Sequence, residues 1–171
     1  DEPDPTTYGL QEFPPKPLDA YKTHIEGHGV FCVSSSSVYQ GSASLYLPYM
    51  AFGKKFDTST SFNQQTWNSG ATYTSSTGEY PATASGKLGY FRGEWLLLEL
   101  PYKIKLVKFS LSIIDDWAVN GPKDFVVAAY DEDTTEWVEL ASYVADVWPN
   151  PVTGTHEIIK KTIHDDIYAL S

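Results

Sequence analysis

Cysteine is almost missing from this 171-residue chain: Cys32 stands alone, so no disulfide can form within it. That weakens a disulfide-stapled miniprotein reading while leaving an extracellular site open. Positive charge is also scarce. Twelve Lys and Arg face 22 Asp and Glu, a formal net charge of −10, and Arg92 is the only arginine. A nucleic-acid binder needs a basic face, so the charge argues against that class, and simple docking on anionic lipid is disfavoured. No apolar run approaches the roughly 20 residues of a membrane-spanning helix. The opening DEPDPTTYGL lacks the basic and apolar regions of a signal peptide. Asn-x-Ser/Thr sequons, internal repeats and any sustained helical period are absent as well.

What is abundant points to strands. Aromatics make up 15% of residues, and Ser, Thr, Gly and Pro are plentiful, as in an all-β domain with many turns. The length suits one domain able to bury its own core. Residues 1–17 are acidic and proline-rich and read as an extended arm, leaving 18–171 for the folded body. VFCVSSSS at 30–37 reads as a first strand entering a serine-rich turn. Residues 38–90 read as loops and short strands, where binding commonly lives. GEWLLLEL at 93–100 is a near-continuous apolar run, expected to be covered on both faces. Val107, Phe109, Leu111 and Ile113 alternate with Lys108, Ser110 and Ser112, the period of a strand with one buried face. A phase slip at Leu106-Val107 predicts a bulge or bend. DFVVAAY at 124–130 reads as another strand covered on both faces, and with the turn DEDTTEW and then WVELASY it completes a pattern suited to a sandwich or jelly roll.

Six segments, in this order and spacing, resemble the discoidin family, the coagulation factor type C domain. They are VSSSS at 33–37, YLPYMAF at 46–52, TWNSG at 66–70, GEWLLLELP at 93–101, KIKLVKFSLS at 103–112 and PKDFVVAAYDEDTTEWVEL at 122–140. The likeness covers roughly Phe13 to Tyr168. FPPKPL at 13–18 and the GEWLLLELPYKIKL wording are similar to versions in large algal viruses. The resemblance implies a galactose-binding-like jelly-roll β-sandwich. Family members often follow Ala-Phe with Asp-Gly-Asn around a calcium ion. Here Ala51-Phe52 is followed by GKKFDTSTSF, which leaves Asp57 and Thr58 as the candidate calcium loop. Members also usually close with a strand beyond the point where this sequence stops at IYALS. The expectation is a sandwich lacking its last strand, as a fragment or as a sheet closed by another chain.

The resemblance puts DDWAVNGPKDF, 115–125, in a loop among those that hold ligand in sugar-binding relatives. A sugar offers a flat C–H patch to an aromatic ring and hydroxyls to acids, amides and amines. Trp117 with Asp115, Asp116, Asn120 and Lys123 supplies these types. The plainer alternative is that Trp117 folds back over the core and the acids are solvated. Arg92 is added because guanidinium forks onto carboxylates or neighbouring hydroxyls; the alternative is a surface residue beside a strand. Trp67, Trp95 and Trp137 read as structural, and Trp148 in DVWPNP is ambiguous. Tyr46 and Tyr49 flank Leu47-Pro48 like an aromatic spike, although the acidic balance disfavours lipid.

His24, His28 and Cys32 are spaced by four, but on a strand each step spans about 13 Å, too far for one ion. Adjacent Asp115 and Asp116 point to opposite faces of a strand and lack the fixed separation of a glycosidase pair. No nucleophile motif such as G-x-S-x-G is present, so catalysis is not expected. The first expectation is a non-catalytic carbohydrate-binding module at a cell or particle surface, outside the cell. Trp117, Asp115, Asn120, Lys123 and Arg92 would bind a cell-surface or secreted glycan. The rival is a protein-interaction module of a larger surface or virion assembly, without a sugar site, taking a neighbouring chain at an open sheet edge.

Overall fold

The computed structural model describes residues 11–40, 46–53, 67–70, 73, 79–81, 86–113, 122, 124–144, 157–162 and 168–169. Among these the regular structure is almost entirely strand, so the fold class is all-β. The strands are β1 (Lys22–Ile25), β2 (Gly29–Ser35), β3 (Lys87–Leu88), β4 (Phe91–Arg92), β5 (Leu96–Glu99) and β6 (Ile104–Lys105). They continue with β7 (Lys108–Ile113), β8 (Asp124–Asp131), β9 (Glu136–Val144), β10 (Glu157–Thr162) and β11 (Tyr168–Ala169). One 3-10 turn, Pro48–Phe52, is the only helical element among the described residues.

β1, β2 and β5 form a three-stranded antiparallel sheet with β2 in the centre. The other pairs are β3 with β4, β6 with β11, β7 with β10, and β8 with β9, all antiparallel. β1 was not anticipated from sequence. It exists because Gly27, at φ +79°, turns the chain back so that His24 faces Val30. The anticipated break at Leu106-Val107 separates β6 from β7.

The core follows from the two-residue period of β2. Phe31 and Val33 point inward, 0% and 4% exposed, and the register sets Val33 opposite Leu98 and Ser35 opposite Leu96. Leu18 and Ile25 complete the buried cluster, with Phe13, Tyr49, Phe52, Leu96, Leu98 and Leu100 packed around it. Burying a side chain the size of Phe31 stabilises the fold by about 1.5–3 kcal/mol. The single run 93–100 thus supplies its leucines as a half-buried strand, not one covered on both faces. The N-terminal approach takes part in this packing. Leu18 N–H donates to Phe52 O at 3.1 Å, and the Phe13 ring meets Tyr102 edge-on at 5.9 Å.

β8 and β9 make the longest hairpin, in register from Asp124–Val144 to Asp131–Glu136 with an irregularity at Val127/Ala128. The order of strand, turn and strand expected from DFVVAAY, DEDTTEW and WVELASY is present, but β8 is not covered on both faces as expected: its exposure alternates over 124–127 and Val126 is 41% exposed. The tip of the β8–β9 hairpin, together with the short β3–β4 hairpin, frames the site described next.

Candidate functional site

The β3–β4 hairpin turns on Gly89-Tyr90, with Lys87 opposite Arg92 and Leu88 opposite Phe91. Gly89 has φ +59° and Tyr90 does not share a positive φ, the sign pattern of a type II′ turn with glycine first. The turn holds Tyr90 out of the protein, 65% exposed, with its ring against Phe91 at a centroid distance of 4.1 Å.

Gly89 leans on the side chain of Trp137, the second residue of β9. Trp137 also packs against Tyr130 across the hairpin, ring centroids 5.4 Å apart, and remains half-buried. The β8–β9 tip is a four-residue loop between Asp131 and Glu136. The Asp131 carboxylate accepts from the N–H of Asp133 at 2.9 Å and of Thr134 at 3.4 Å, and from the Thr134 hydroxyl. The Thr134 hydroxyl, then the Asp133 amide, hold the Asp131 carboxyl below the ordinary carboxylate range. Lys103, which pairs with Glu132 at 3.7 Å, adds a weaker push in the same direction.

Where the two hairpins meet there is an open groove of about 370 Å³, lined by Lys87, Gly89, Tyr90, Thr135, Glu136 and Trp137. Two aromatic side chains, an amine, a carboxylate and a hydroxyl converge on it. Lys87, Thr135 and Glu136 are exposed, and their side chains have no hydrogen-bond or ion-pair partner among the described residues. Such a mixture suits a ligand with both a C–H face and hydroxyl groups.

A polar knot behind the β3–β4 hairpin fixes its base. Glu94 accepts from the hydroxyls of Ser36 at 2.9 Å, Tyr80 at 2.6 Å and Ser37. Ser36 exchanges further bonds with Trp95: its amide donates to Trp95 O at 3.0 Å, and Trp95 N–H donates to Ser36 Oγ at 2.9 Å. Ser37 accepts from Gly70 N–H through its hydroxyl and from Trp67 Nε1–H through its carbonyl. The Tyr80 oxygen accepts from Gly86 N–H at 3.0 Å, and Gly93 N–H donates to Gly86 O at 3.2 Å. Burial raises the Tyr80 hydroxyl above its ordinary value, and the bond to the Glu94 carboxylate adds to this. Ser36 and Ser37, at the end of the serine run 34–37, therefore anchor Trp67, Gly70, Glu94 and Trp95. Trp67 has the structural role expected of it, through its ring nitrogen.

Of the site residues proposed from sequence, Arg92 is the one described. It is exposed on β4 and its Nη2 donates to Pro81 O at 3.2 Å, bracing its own loop beside the groove rather than lining it. Asp115, Asp116, Trp117, Asn120 and Lys123 lie outside the described residues, as do the calcium candidates Asp57 and Thr58. Among the described residues, no group of three or more His, Cys, Asp or Glu is arranged to hold a metal ion, and no helix is long and apolar enough to cross a membrane. Tyr49 of the suspected aromatic spike is half-buried, packed on the core and edge-on to Tyr21 at 5.3 Å.

Sequence reasoning missed Lys87, Tyr90, Thr135 and Glu136, and treated Trp137 as structural only. The available signal was GKLGYF, a glycine-centred turn carrying an exposed aromatic ring; its partner lies 45 residues away. Comparison with known proteins found no matching family model and no significantly similar curated protein or solved structure.

Proposed function

We propose that this chain is a non-catalytic carbohydrate-binding module, of discoidin-like jelly-roll type, acting at a cell or particle surface. The observation that carries the reading is the groove between the β3–β4 and β8–β9 hairpins. Tyr90 and Trp137 offer aromatic surface for the C–H face of a sugar, while Lys87 donates to hydroxyls and Glu136 accepts from them. A shallow groove of this kind gives weak single-site binding, so the module works in multiple copies. In this reading Trp117, Asp115, Asn120 and Lys123 contribute further ligand contacts, and Arg92 braces the groove. No metal ion is required at the groove.

The test is a glycan array probed with the multivalent domain alongside Tyr90→Ala and Trp117→Ala. Loss of signal in Tyr90→Ala alone supports the groove as the site; loss in Trp117→Ala alone moves the site to residues 115–123. Absence of any signal from the folded wild type removes the glycan reading.

One observation favours the rival, a protein-interaction module. Among the described residues β1 is hydrogen-bonded only to β2, leaving its outer edge open to a strand from a neighbour. Four residues is a short template for such pairing, and the groove carries the richer chemistry.

A further inference from the structure

Thr135 has φ +58°. A β-branched residue is a poor occupant of left-handed backbone, because its forked side chain crowds the neighbouring carbonyl. The last loop position of a four-residue hairpin, where Thr135 sits, is one that glycine or asparagine fills at little cost. The adjacent Thr134 has a local task, since its hydroxyl serves Asp131. Thr135 has none: its side chain has no hydrogen-bond partner among the described residues, and it lines the groove between Glu136 and the β3–β4 turn. A strained residue at a groove, with a polar group that the fold does not use, is the pattern of a position kept for ligand contact.

We propose that Thr135 is a specificity residue of the groove, and that its hydroxyl reads a hydroxyl of an uncharged sugar. The inference rests on the carbohydrate-binding reading and deepens it. The choice of an uncharged sugar follows from charge. Among the described residues that line the groove, Lys87 and Glu136 cancel and leave no net cation for a sulfated or carboxylated glycan, and the −10 of the whole chain repels such ligands. Thr135 both donates and accepts, which matches a sugar hydroxyl that does the same. Lys87 and Glu136 serve the neighbouring hydroxyls while Trp137 and Tyr90 take the ring face.

The experiment uses the full chain and bead-bound neutral oligosaccharides ending in galactose, glucose, mannose or xylose, with sialylated and sulfated glycans in parallel. Thr135→Gly relieves the backbone and removes the hydroxyl; Thr135→Ser removes only the branch. Melting temperature and binding to the best neutral probe are read for both. Expected are a higher melting temperature for Thr135→Gly, by about 2–4 °C, with binding about fivefold to tenfold weaker. Thr135→Ser is expected to bind within about twofold of wild type, since its hydroxyl remains. Wild type that binds neutral probes equally well as Thr135→Gly overturns the assignment of Thr135 and leaves the carbohydrate reading standing. So does a Thr135→Gly variant that is no more stable than wild type, or a Thr135→Ser variant as weak as Thr135→Gly. Preference of the wild type for the acidic glycans overturns the uncharged-sugar inference alone. A wild type that captures none of the glycans overturns this proposal and the carbohydrate reading together.

Discussion

A Cβ built on Gly89 would stand 2.6 Å from Cδ1 of Trp137, and φ at that glycine is +59°. Both constraints concern one contact, the point where the β3–β4 turn rests on β9. Gly89→Ala is therefore expected to lower stability by about 2–3 kcal/mol, part from the left-handed backbone and part from the displaced indole. Urea denaturation measures it. A change in Trp137 packing should accompany the loss, visible as altered tryptophan fluorescence; an unchanged midpoint would contradict the contact.

Glu94 gathers three hydroxyl donors, from Ser36, Ser37 and Tyr80, and so ties β2 to the segment leading into the groove. Charge-assisted bonds are the stronger kind, and an amide in place of the carboxylate leaves a mismatched donor among donors. Glu94→Gln is expected to cost about 2 kcal/mol, whereas Glu99→Gln, on an exposed strand position, should stay within about 0.5 kcal/mol of wild type. Paired urea titrations of the two variants decide it.

Tyr80 links the same knot to alkaline pH. Its hydroxyl is raised above the ordinary value of 10.0, first by burial and then by Glu94. A raised folded-state value means that the protonated phenol is favoured in the fold. The stabilisation is complete below pH 10 and is lost as pH rises from there through the folded value. Thermal melts between pH 9 and about 11.5 should show a fall in stability that is smaller in Tyr80→Phe, which keeps the ring and has no proton to lose.

Asp131 gives the opposite dependence. Its carboxyl is held below 3.8 by the Thr134 hydroxyl and the Asp133 amide. A depressed value means stability that is present above about 3.8 and disappears as pH falls through the folded value. Acid should therefore loosen the β8–β9 tip before the β1–β2–β5 core. Backbone amide shifts of Asp133 and Thr134, followed by NMR from pH 6 to pH 2, check this; amides that do not respond would contradict the turn geometry.

Phe31 is fully buried at the centre of the β1–β2–β5 sheet. Phe31→Ala is expected to cost about 3–5 kcal/mol, while Tyr90→Ala should change stability little because the ring is largely in solvent. Chemical denaturation of both variants separates the core from the groove.

The strands legible in the sequence were those whose pattern is local. The alternation of Val107, Phe109, Leu111 and Ile113 announced β7, and DFVVAAY with its turn and WVELASY announced the β8–β9 hairpin. β1 escaped because KTHI has one buried residue, Ile25, and no period to detect. β3 and β4 escaped because two residues each carry no period at all. Arg92 was noticed for its rarity, yet what its guanidinium meets, the carbonyl of Pro81, depends on how the loop folds back.

Composition and spacing by themselves determined an acidic, cysteine-poor, aromatic all-β chain, rich in turns. Those properties sum over residues or repeat every second residue, so they survive in one dimension. Only the tertiary structure decided that Lys87 and Tyr90 meet Thr135, Glu136 and Trp137 in one groove, and that Glu94 unites Ser36, Ser37 and Tyr80. Each group gathers side chains from segments tens of residues apart, through the closing of hairpins on one another. Long-range contacts of that kind leave no local period, and the positive φ of Thr135 is likewise a property of the closed turn, not of the letter threonine.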